Sequence, residues 1–382
     1  MQREQLAIHC SIVRGGTSKG LFLRENELPP SGEMRDKIVL RLLGSPDARQ
    51  IDGLGGANSL TSKVCIIGPS QHKDADVDYT FGQVSVDKAK IDWQGNCGNL
   101  SAAVGVYALD KNYVKAEEPF TDVRILNTNT NKILNVRVPV KDGRAQVGGD
   151  YTIPGVPGTG AKLRVDFYYP EGAVTGKLLP TGNAKDVIDL GEKGKFTISV
   201  VDSVTPVVYC LAAELGLKGT ELPTEVEAMP EVLALMEEIR SHAAYMIGMV
   251  KNKDEATEQS PGFPKVGFVS PPQDYTSADG KQISAEDVDI VARLGSMQKM
   301  HRAYMIGGAV STGAASTIEG TVIWDCMPET ARGRGKFFIG HPYGPMEVDI
   351  VKNENEILSQ GVYRTARMIL DGIAYIPQDG LE

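Results

Sequence analysis

The sequence predicts an α+β fold, because many short apolar segments resemble strands and only a few have helical spacing. The strand-like segments are rich in Val, Ile, Phe and Tyr and are bounded by turn residues. They do not alternate regularly with helices, which disfavours a doubly wound nucleotide-binding fold. A chain of 382 residues is comfortable for two domains. We therefore expect two sheet-based domains.

Eleven segments are predicted as strands. They are residues 8–13, 64–67, 79–84, 123–126, 133–138, 163–168, 196–201, 207–211, 266–269, 321–324 and 337–339. Helices are predicted for fewer segments. They are residues 34–43, 225–239 (with Pro230 at a boundary or in a first turn), 285–305, and a segment that begins just after Cys97 and includes SAAVGVYAL.

The segment 285–305 has the clearest helical pattern. Ser284 and Asp287 fit a capping box at its start. Val288, Val291 and Leu294 then recur at a spacing of three. This pattern predicts the longest helix of the chain.

A domain boundary is expected near Gly182, after a Gly- and Pro-rich span at 155–182. It divides the chain into domains 1–182 and 183–382, and the last strand is free to return to the first domain. GNCGNLSAAVG in the first half and GGAVSTGAAST in the second are a loose echo, each a small-residue loop before an expected helix start. The echo suggests two pseudo-symmetric halves.

Composition excludes several classes of partner. The formal net charge of −9 argues against nucleic acid, since phosphate binding needs a basic face. The start, MQREQLAIHC, has no signal-peptide pattern, and no apolar run reaches the roughly 18 residues of a membrane span. We expect a cytoplasmic protein. The sequence does not fix the oligomeric state and leaves a homo-oligomer open.

The cysteines and histidines predict no metal site. Five cysteines are scattered without a CxxC pair, and five histidines form no HxH, HxxxH or HExxH pair. The odd cysteine count also argues against a disulfide framework. At least four of the thiols are expected to be buried hydrophobic residues.

The stretch RGGTSKG at 14–20 resembles a phosphate loop with its parts reversed. A P-loop needs GxxxxGK[ST], with the lysine before the hydroxyl residue, and RGGTSKG has the reverse order. The stretches GLGGAN and GTGA lack the GxGxxG spacing of a dinucleotide-binding loop. Nucleotide binding is therefore rejected. The remaining interpretations are an anion nest that clamps a carboxylate and a plain glycine turn between two strands. The motif alone does not decide between them. DGLGGANSLTSK at 52–63 repeats the glycine, hydroxyl and lysine pattern, ending at Lys63.

Cys97, in GNCGNLSAAVG, is the sharpest local signal. It lies at a predicted helix N-terminus, where the dipole and free N–H groups stabilise a thiolate. A small buried cysteine in a tight turn is the alternative, but the polar and glycine neighbours favour a catalytic thiol. TGKLLPTGN at 175–183 is interpreted as a hinge, a wall of the pocket or only a loop. STGA at 311–314 is interpreted as a further set of N–H donors at a helix start.

Together these stretches resemble the cofactor-independent isomerases of 2-methylaconitate type, which include methylitaconate isomerase and 4-oxalomesaconate tautomerase. The matching stretches run from residue 14 to about residue 372. They are RGGTSKG, DGLGGANSLTSK, VDYTFGQVSVD, GNCGNLSAAVG, TGKLLPTGN, SAEDVDIV, STGAAS and YRTARMILDG. The stretch 44–85 is most similar to the methylitaconate isomerase branch. The resemblance implies a diaminopimelate epimerase-type fold, in which two domains each wrap a curved, mainly antiparallel sheet around a central helix.

The resemblance also implies the site residues. Epimerases of this fold use two facing cysteines, whereas this sequence keeps Cys97 and has STGAAS in place of the second. The family pattern implies a lysine partner, and Lys63 matches it. Cys97 and Lys63 are therefore the expected acid/base pair, with the role of each left open. The expected carboxylate contacts are Ser18, Lys19, Asn58, Ser59, Asn99 and Ser311.

The implied reaction moves a C=C bond in a small unsaturated di- or tricarboxylate by allylic proton transfer, without a cofactor. A thiolate and an ammonium can exchange the protons, and fixed N–H groups and cations can stabilise the dienolate. Substrates of methylitaconate or 2-methylaconitate type are expected. The alternatives are 4-oxalomesaconate tautomerisation, amino-acid epimerisation, which the missing second thiol disfavours, and non-catalytic polycarboxylate binding.

Overall fold

The chain forms two compact units. The computed structural model describes residues 4–93, 95–354 and 356–381. The first unit contains the residues up to Asp166 and those from Tyr363 onward, and the second contains Phe167–Val362. Residues 167–182, which the sequence analysis assigned to the first domain, thus pack within the second unit.

The helices and strands are numbered in chain order. The helices are α1 Glu33–Leu43, α2 Gly98–Asp110, α3 Pro223–Glu227, α4 Pro230–Met246, α5 Ala256–Gln259, α6 Ile306–Ala315 and α7 Val322–Cys326. The strands are β1 Gln5–Gly15, β2 Ser18–Arg24, β3 Lys63–Pro69, β4 Val77–Val84, β5 Ile91–Asp92, β6 Phe120–Asn127, β7 Lys132–Lys141, β8 Arg144–Ala145, β9 Leu163–Tyr168, β10 Asp186–Asp189, β11 Lys195–Ser203, β12 Thr205–Leu211, β13 Lys265–Ser270, β14 Tyr275–Thr276, β15 Gln282–Ile283, β16 Ile290–Ser296, β17 Lys299–Met300, β18 Lys336–His341, β19 Gly344–Lys352, β20 Ile357–Arg364 and β21 Ala366–Pro377.

The first unit is a mainly antiparallel sheet around one helix. Its strands follow the order β21–β1–β2–β3–β4–β6–β7, and only the pairs β2–β3 and β4–β6 are parallel. Helix α2 packs against β1, β2, β6, β7, β8 and β21, so strands from both ends of this order contact it. The sheet therefore curves around α2.

The second unit repeats this pairing pattern. Its strands follow the order β10–β11–β12–β13–β16–β18–β19–β20, with β12–β13 and β16–β18 as the parallel pairs. Helix α6 packs against β11, β12 and β19. In the chain, α6 follows the hairpin of β16 and β17, just as α2 follows the hairpin of β4 and β5. The two pseudo-symmetric halves predicted from the echoed motifs are confirmed.

Small residues allow α2 to occupy the centre of its sheet. Every residue from Asn99 to Leu109 is buried. A Cβ atom added to Gly105 would lie 2.7 Å from a side-chain atom of Val136, so the strand approaches the helix to a distance that only glycine permits. The small-residue run of GNCGNLSAAVG therefore has a packing role that continues beyond the loop.

The two faces of β2 and β3 pack against different helices. Leu21, Leu23, Val64 and Ile66 belong to a core that includes residues of α1. Because successive residues of a strand point to opposite faces, the remaining residues of these strands face α2. Phe22 confirms this direction, since its ring centroid lies 5.2 Å from that of Tyr107 in α2.

Ten of the eleven predicted strands lie within observed strands, and helices were correctly expected at α1, α2 and α4. The predicted helix 285–305 is wrong. It contains a short 3₁₀ turn, Ala285–Asp287, followed by β16 and β17. Every residue from 288 to 295 is buried. A strand buried on both faces forms a continuous apolar run that periodicity cannot separate from a helix.

Two further predictions fail in the second unit. Residues 321–324 begin α7, where the Thr321 hydroxyl accepts a hydrogen bond from the Trp324 N–H at 3.1 Å, an N-cap rather than a strand. STGA at 311–314 lies inside α6, which begins at Ile306, so it does not supply N–H donors at a helix start. Among the described residues, no helix is both long and apolar enough to cross a membrane.

Candidate active site

The face of the sheet that points towards α2 carries two of the predicted site residues, Ser18 and Lys63. On β2, Ser18 shares this face with Gly20, where an added Cβ would lie 2.8 Å from Leu100 of α2. On β3, Lys63 and Cys65 alternate with residues of the opposite core. Ser18 and Lys63 therefore begin their strands on the same side of the sheet as α2.

Cys97 lies at the N-terminus of α2, as predicted. It is the residue just before the first helical turn, and its side chain is half-buried. Its Sγ lies 3.9 Å from the Ser18 Oγ. Its carbonyl oxygen accepts hydrogen bonds from the N–H of Ser101 at 2.9 Å and from the hydroxyl of Ser101 at 3.2 Å. Cys97 therefore lies beside the free N–H groups of the first turn of α2.

The other four thiols are structural. Cys10, Cys65, Cys210 and Cys326 are buried, and burial raises the pKa of each. A buried thiol with a raised pKa stays protonated and is a poor acid/base group at neutral pH. The expectation that at least four cysteines act as buried hydrophobic residues agrees with this environment.

Lys63 is held by a neutral partner. Its side chain is 7% exposed, and its Nζ donates a hydrogen bond to the Oε1 of Gln83, directly opposite on β4. The Nζ also lies 5.2 Å from the centroid of the Phe81 ring. Gln83 was not selected from the sequence, although it lies in the quoted motif VDYTFGQVSVD, because a single glutamine in a strand has no local signature.

The pKa of the buried Cys65 thiol responds to the charges of both Cys97 and Lys63. The buried thiol of Cys65 lies two residues after Lys63, on the same face of β3. Burial raises the pKa of Cys65, the charge of Cys97 raises it further, and the charge of Lys63 lowers it. Both candidate catalytic residues therefore lie within electrostatic range of the same buried atom.

The stretch RGGTSKG forms the turn between β1 and β2, packed against the start of α2. A Cβ added to Gly15 would lie 2.1 Å from the carbonyl oxygen of Asn99, and one added to Gly16 would lie 2.2 Å from its Oδ1. Gly16 also has a positive φ of 49°. The Asn99 amide donates to the Thr17 Oγ1 at 3.1 Å and to the Ser18 Oγ at 3.5 Å. The two glycines thus allow the turn to dock beside Cys97.

Arg364 adds a buried cation that sequence reasoning missed. It ends β20, and its Nε donates a 2.9 Å hydrogen bond to the Oδ1 of Asn99. Burial lowers the pKa of Arg364 to about 10, although the charges of Tyr151 and Cys97 favour its protonated form. It remains charged at neutral pH. The motif YRTARMILDG contained it, but only the fold brings it to Asn99 in the first turn of α2.

Three residues of the first unit that were predicted to contact a carboxylate either face the other side of the sheet or are exposed in a loop. Lys19 starts on the face of β2 opposite to Ser18, because adjacent strand residues point in opposite directions. Asn58 is exposed, and its side chain closes its own turn, accepting from the Leu60 N–H and donating to the Gly56 carbonyl. Ser59 is also exposed, and its carbonyl accepts from the Gln83 amide at 3.3 Å. Neither Asn58 nor Ser59 is brought into contact with Cys97 by these bonds.

Ser311 has a structural role inside the second unit. It is fully buried in α6, where its hydroxyl donates to the Ser203 carbonyl at 2.6 Å and accepts from the Ser203 N–H at 3.2 Å. These bonds hold the turn between β11 and β12, in which Val204 has a φ of 68°. These bonds give the hydroxyl a structural role, and its contact with a substrate carboxylate stays a prediction.

The second unit has no thiol at the position equivalent to Cys97. The residue that precedes the first turn of α6 is Met305, whereas Cys97 precedes the first turn of α2. A thioether cannot exchange a proton. Among the described residues, the start of α6 therefore does not supply the second thiol that a two-cysteine epimerase needs, and the STGAAS stretch lies within that helix.

The stretch TGKLLPTGN forms a loop organised by Asp202. The Oδ2 of this buried carboxylate accepts from the Val174 N–H at 2.9 Å, the Thr175 N–H at 2.6 Å and the Thr175 hydroxyl at 2.9 Å. Lys177 is exposed. Of the three interpretations, the contacts support a loop tied to its own unit. The described residues contain no group of three or more His, Cys, Asp or Glu that could hold a metal ion.

Comparison with known proteins gives a consistent result over nearly the whole chain. The model of the PrpF protein family matches residues 5–377. The chain is 47% identical to 3-methylitaconate isomerase of Eubacterium barkeri over 98% of each chain. It is 38% identical to 2-methyl-aconitate isomerase of Shewanella oneidensis, again over 98% of each. A solved structure of methylitaconate-delta-isomerase matches with a TM-score of 0.87 at 46% identity, covering 100% of this chain and 98% of that one. The predicted fold type is confirmed.

Proposed function

This chain belongs to the PrpF protein family, and we propose that it is an isomerase that moves a C=C bond in a small unsaturated di- or tricarboxylate. The observation that supports the proposal is that a thiol and a buried lysine both lie on the side of the first unit's sheet that α2 covers. Cys97 lies at the N-terminus of α2, and Lys63 lies on the face of the sheet that α2 covers. The charges of both residues affect the pKa of the buried Cys65 thiol, Cys97 raising it and Lys63 lowering it.

The reaction needs one proton to leave an allylic carbon and another to reach the far end of the allyl system. One of the two residues accepts the first proton, and the C–H electron pair delocalises into a dienolate. The other residue then donates a proton to the carbon that was formerly part of the double bond. The C=C bond has moved by one position, and proton exchange with water returns both groups to their starting states. Each proton transfer of this kind is worth about 10²–10⁴-fold in rate.

Arg364 is the group we assign to the substrate carboxylate and the developing dienolate. It is a buried cation whose charge interacts with Cys97, and Asn99 fixes its Nε. A fixed cation in a site that excludes water stabilises developing negative charge without reorganisation. We also assign Ser18 to contact the substrate carboxylate. Its hydroxyl oxygen lies 3.9 Å from the Cys97 sulfur. Asn99 instead acts as a positioning residue.

The thiol and the ammonium together favour a bond shift over amino-acid epimerisation. An epimerase of this fold needs matched acid/base groups on the two sides of one carbon, and Met305 occupies the position equivalent to Cys97. A thiol and an ammonium instead suit a bond shift, in which one carbon loses a proton and a different carbon gains one. We propose a substrate of methylitaconate or 2-methylaconitate type, because the relatives at 47% and 38% identity carry those activities in their names.

A panel of candidate substrates in deuterated water tests the proposal. Methylitaconate, 2-methylaconitate, oxalomesaconate and aconitate are each incubated with the enzyme and followed by ¹H NMR. We expect a shifted double bond and solvent deuterium in the product for methylitaconate or 2-methylaconitate. Turnover of oxalomesaconate alone would replace the substrate assignment, and binding without turnover of any compound would overturn the isomerase proposal.

A further inference from the structure

We propose that Gln83 is the positioning residue of the reaction, holding the Lys63 ammonium in place through a neutral acceptor that leaves the lysine free to exchange its proton. This inference rests on the proposed function, in which Lys63 is one of the two proton-transfer groups. It assigns a role to a residue that makes no contact with Cys97 in the described bonds.

The hydrogen bonds fix the orientation of the Gln83 amide. Lys63 and Gln83 are direct partners in the β3–β4 register. The Gln83 Nε2 donates to the carbonyl oxygen of Ser62 at 3.0 Å and to that of Ser59 at 3.3 Å. Since carbonyl oxygens only accept, the amide nitrogen must face them, and the Oε1 must face Lys63. The loop of DGLGGANSLTSK therefore aims the Gln83 acceptor at the lysine.

The loop that contains Ser59 and Ser62 therefore helps to position Lys63 through Gln83. The Ser59 and Ser62 carbonyls anchor Gln83, and Gln83 anchors the Lys63 Nζ. Gln50, itself buried, stabilises the same loop by donating to the Ser62 hydroxyl at 2.7 Å and accepting from the Ala57 N–H at 2.8 Å. The second glycine-rich stretch is thus a scaffold for the lysine.

The chemistry requires a neutral residue at position 83. A carboxylate there would form a short ion pair in a buried site, which strongly favours the charged lysine. An amide oxygen orients the ammonium with a single hydrogen bond and adds no net charge. The Phe81 ring, 5.2 Å from the Nζ, adds only a weak attraction for the cation.

Other titratable groups lie on β3, β4, β5 and the start of α2, or bond to α2. Cys65 lies on β3 with Lys63, Tyr79 lies on β4, and both the thiol and the phenol are fully buried. Cys97 is at the N-terminus of α2, and Arg364 ends β20. Asp92 on β5 is opposite Gln83 in register, but it is exposed, so solvent screens its charge. Gln83 is the group in direct hydrogen-bond contact with the Nζ.

The test compares Gln83→Glu and Gln83→Met with wild type in pH–rate profiles. In Gln83→Glu, the limb of the pH–rate profile that follows the ionisation of Lys63 should move towards alkaline pH by about 1 unit or more, because a carboxylate favours the charged lysine. Gln83→Met should move it in the opposite direction and lower kcat by at least about 10-fold. The alkaline direction holds for either role of the lysine, because a carboxylate favours its protonated form in both. Gln71→Glu is the matched control, since it adds the same charge in the exposed loop at the far end of the same hairpin.

A second readout does not depend on activity. Lys63 is labelled with acetic anhydride over a range of pH and quantified by mass spectrometry, because only the neutral amine reacts. Gln83→Glu should label less than wild type at each pH, and Gln71→Glu should match wild type. If wild type is inactive but this labelling shift occurs, the proposed function fails, and only the electrostatic contact between Gln83 and Lys63 is confirmed. Unchanged pH limbs and unchanged labelling in both Gln83 variants would overturn the inference.

Discussion

Arg364 donates a 2.9 Å hydrogen bond to Asn99, a residue 265 positions earlier in the chain. Asn99 uses the other end of the same amide to hold the turn that contains Thr17 and Ser18. One side chain therefore joins the buried cation, the glycine turn and the first turn of the helix behind Cys97. This connection organises the proposed site.

Replacing Arg364 by methionine should weaken substrate binding. Loss of a charge-assisted hydrogen bond of about 1.5–3 kcal/mol corresponds to a rise in KM of roughly 10–100-fold. Steady-state kinetics measure the effect, and thermal melting checks that the fold is retained. Arg137→Met is the matched control, because that exposed arginine pairs with Asp122 away from the site. An unchanged KM in Arg364→Met would remove the arginine from the substrate site.

The two lysines of the repeated TSK pattern should differ sharply. Lys63→Met should lower kcat by about 10²–10⁴-fold, because a proton-transfer group is lost. Lys19→Met should lower kcat/KM by less than about 10-fold, since Lys19 starts on the opposite face of β2. Both variants are compared by kcat and by substrate binding. A larger kcat loss for Lys19→Met than for Lys63→Met would reverse the assignment.

Gly15→Ala should destabilise the first unit. The added Cβ would lie 2.1 Å from the Asn99 carbonyl oxygen, so the turn or the helix must move. Overpacking of this kind costs about 1–3 kcal/mol, which urea unfolding can measure. Gly148→Ala is the control, because an added Cβ there meets no atom within 4 Å. Equal stability of the two variants would show that the turn is not fixed by this contact.

The ion pair between half-buried Glu237 and buried Arg240 should make stability depend on acid pH. Arg240 is 1% exposed, and its Nη2 and Nε donate to the carboxylate at 2.6 and 2.8 Å. Burial acts to raise the pKa of Glu237, but hydrogen bonds from Arg240 and Thr257 hold it below its ordinary value. A depressed pKa means that the stabilisation is present above the ordinary carboxyl pKa and is lost as pH falls through the folded value.

Glu237→Gln should therefore destabilise the protein at pH 7 by about 3 kcal/mol, because Arg240 stays charged and buried. The difference from wild type should shrink as the pH falls through the folded pKa of Glu237, which lies below the ordinary carboxyl value. Thermal unfolding from pH 7 to pH 3 measures both. A difference between the proteins that stays constant with pH would contradict the role of the ion pair.

Local chemistry made part of this site predictable. Cys97 was recognised because glycine and polar neighbours before a small-residue helix are unusual for a buried thiol. Lys63 was assigned through the family resemblance, because a lysine at a loop-to-strand junction has no local catalytic signature. The local signal for Cys97 lies within a few residues of the chain.

The remaining residues depend on contacts that no local pattern records. Gln83 is important because antiparallel register places it opposite Lys63, and Arg364 because β20 ends beside α2. Ser311 lies in a motif that echoes the first half, but in α6 its hydroxyl is used by the Ser203 turn. The strand β16 was misjudged because burial on both faces removes the alternation that identifies a strand.

The most direct test of the account is a single-turnover reaction in deuterated water, followed by NMR, with wild type and Cys97→Ser. In the proposed mechanism one residue removes a proton and a different residue, in exchange with solvent, donates the new one. Wild type should therefore place nearly complete solvent deuterium on the newly protonated carbon. Cys97→Ser should retain its fold by circular dichroism and lose at least about 10²-fold in the bond shift. Complete retention of the substrate hydrogen in the wild-type product, or near-normal turnover by Cys97→Ser, would contradict the account.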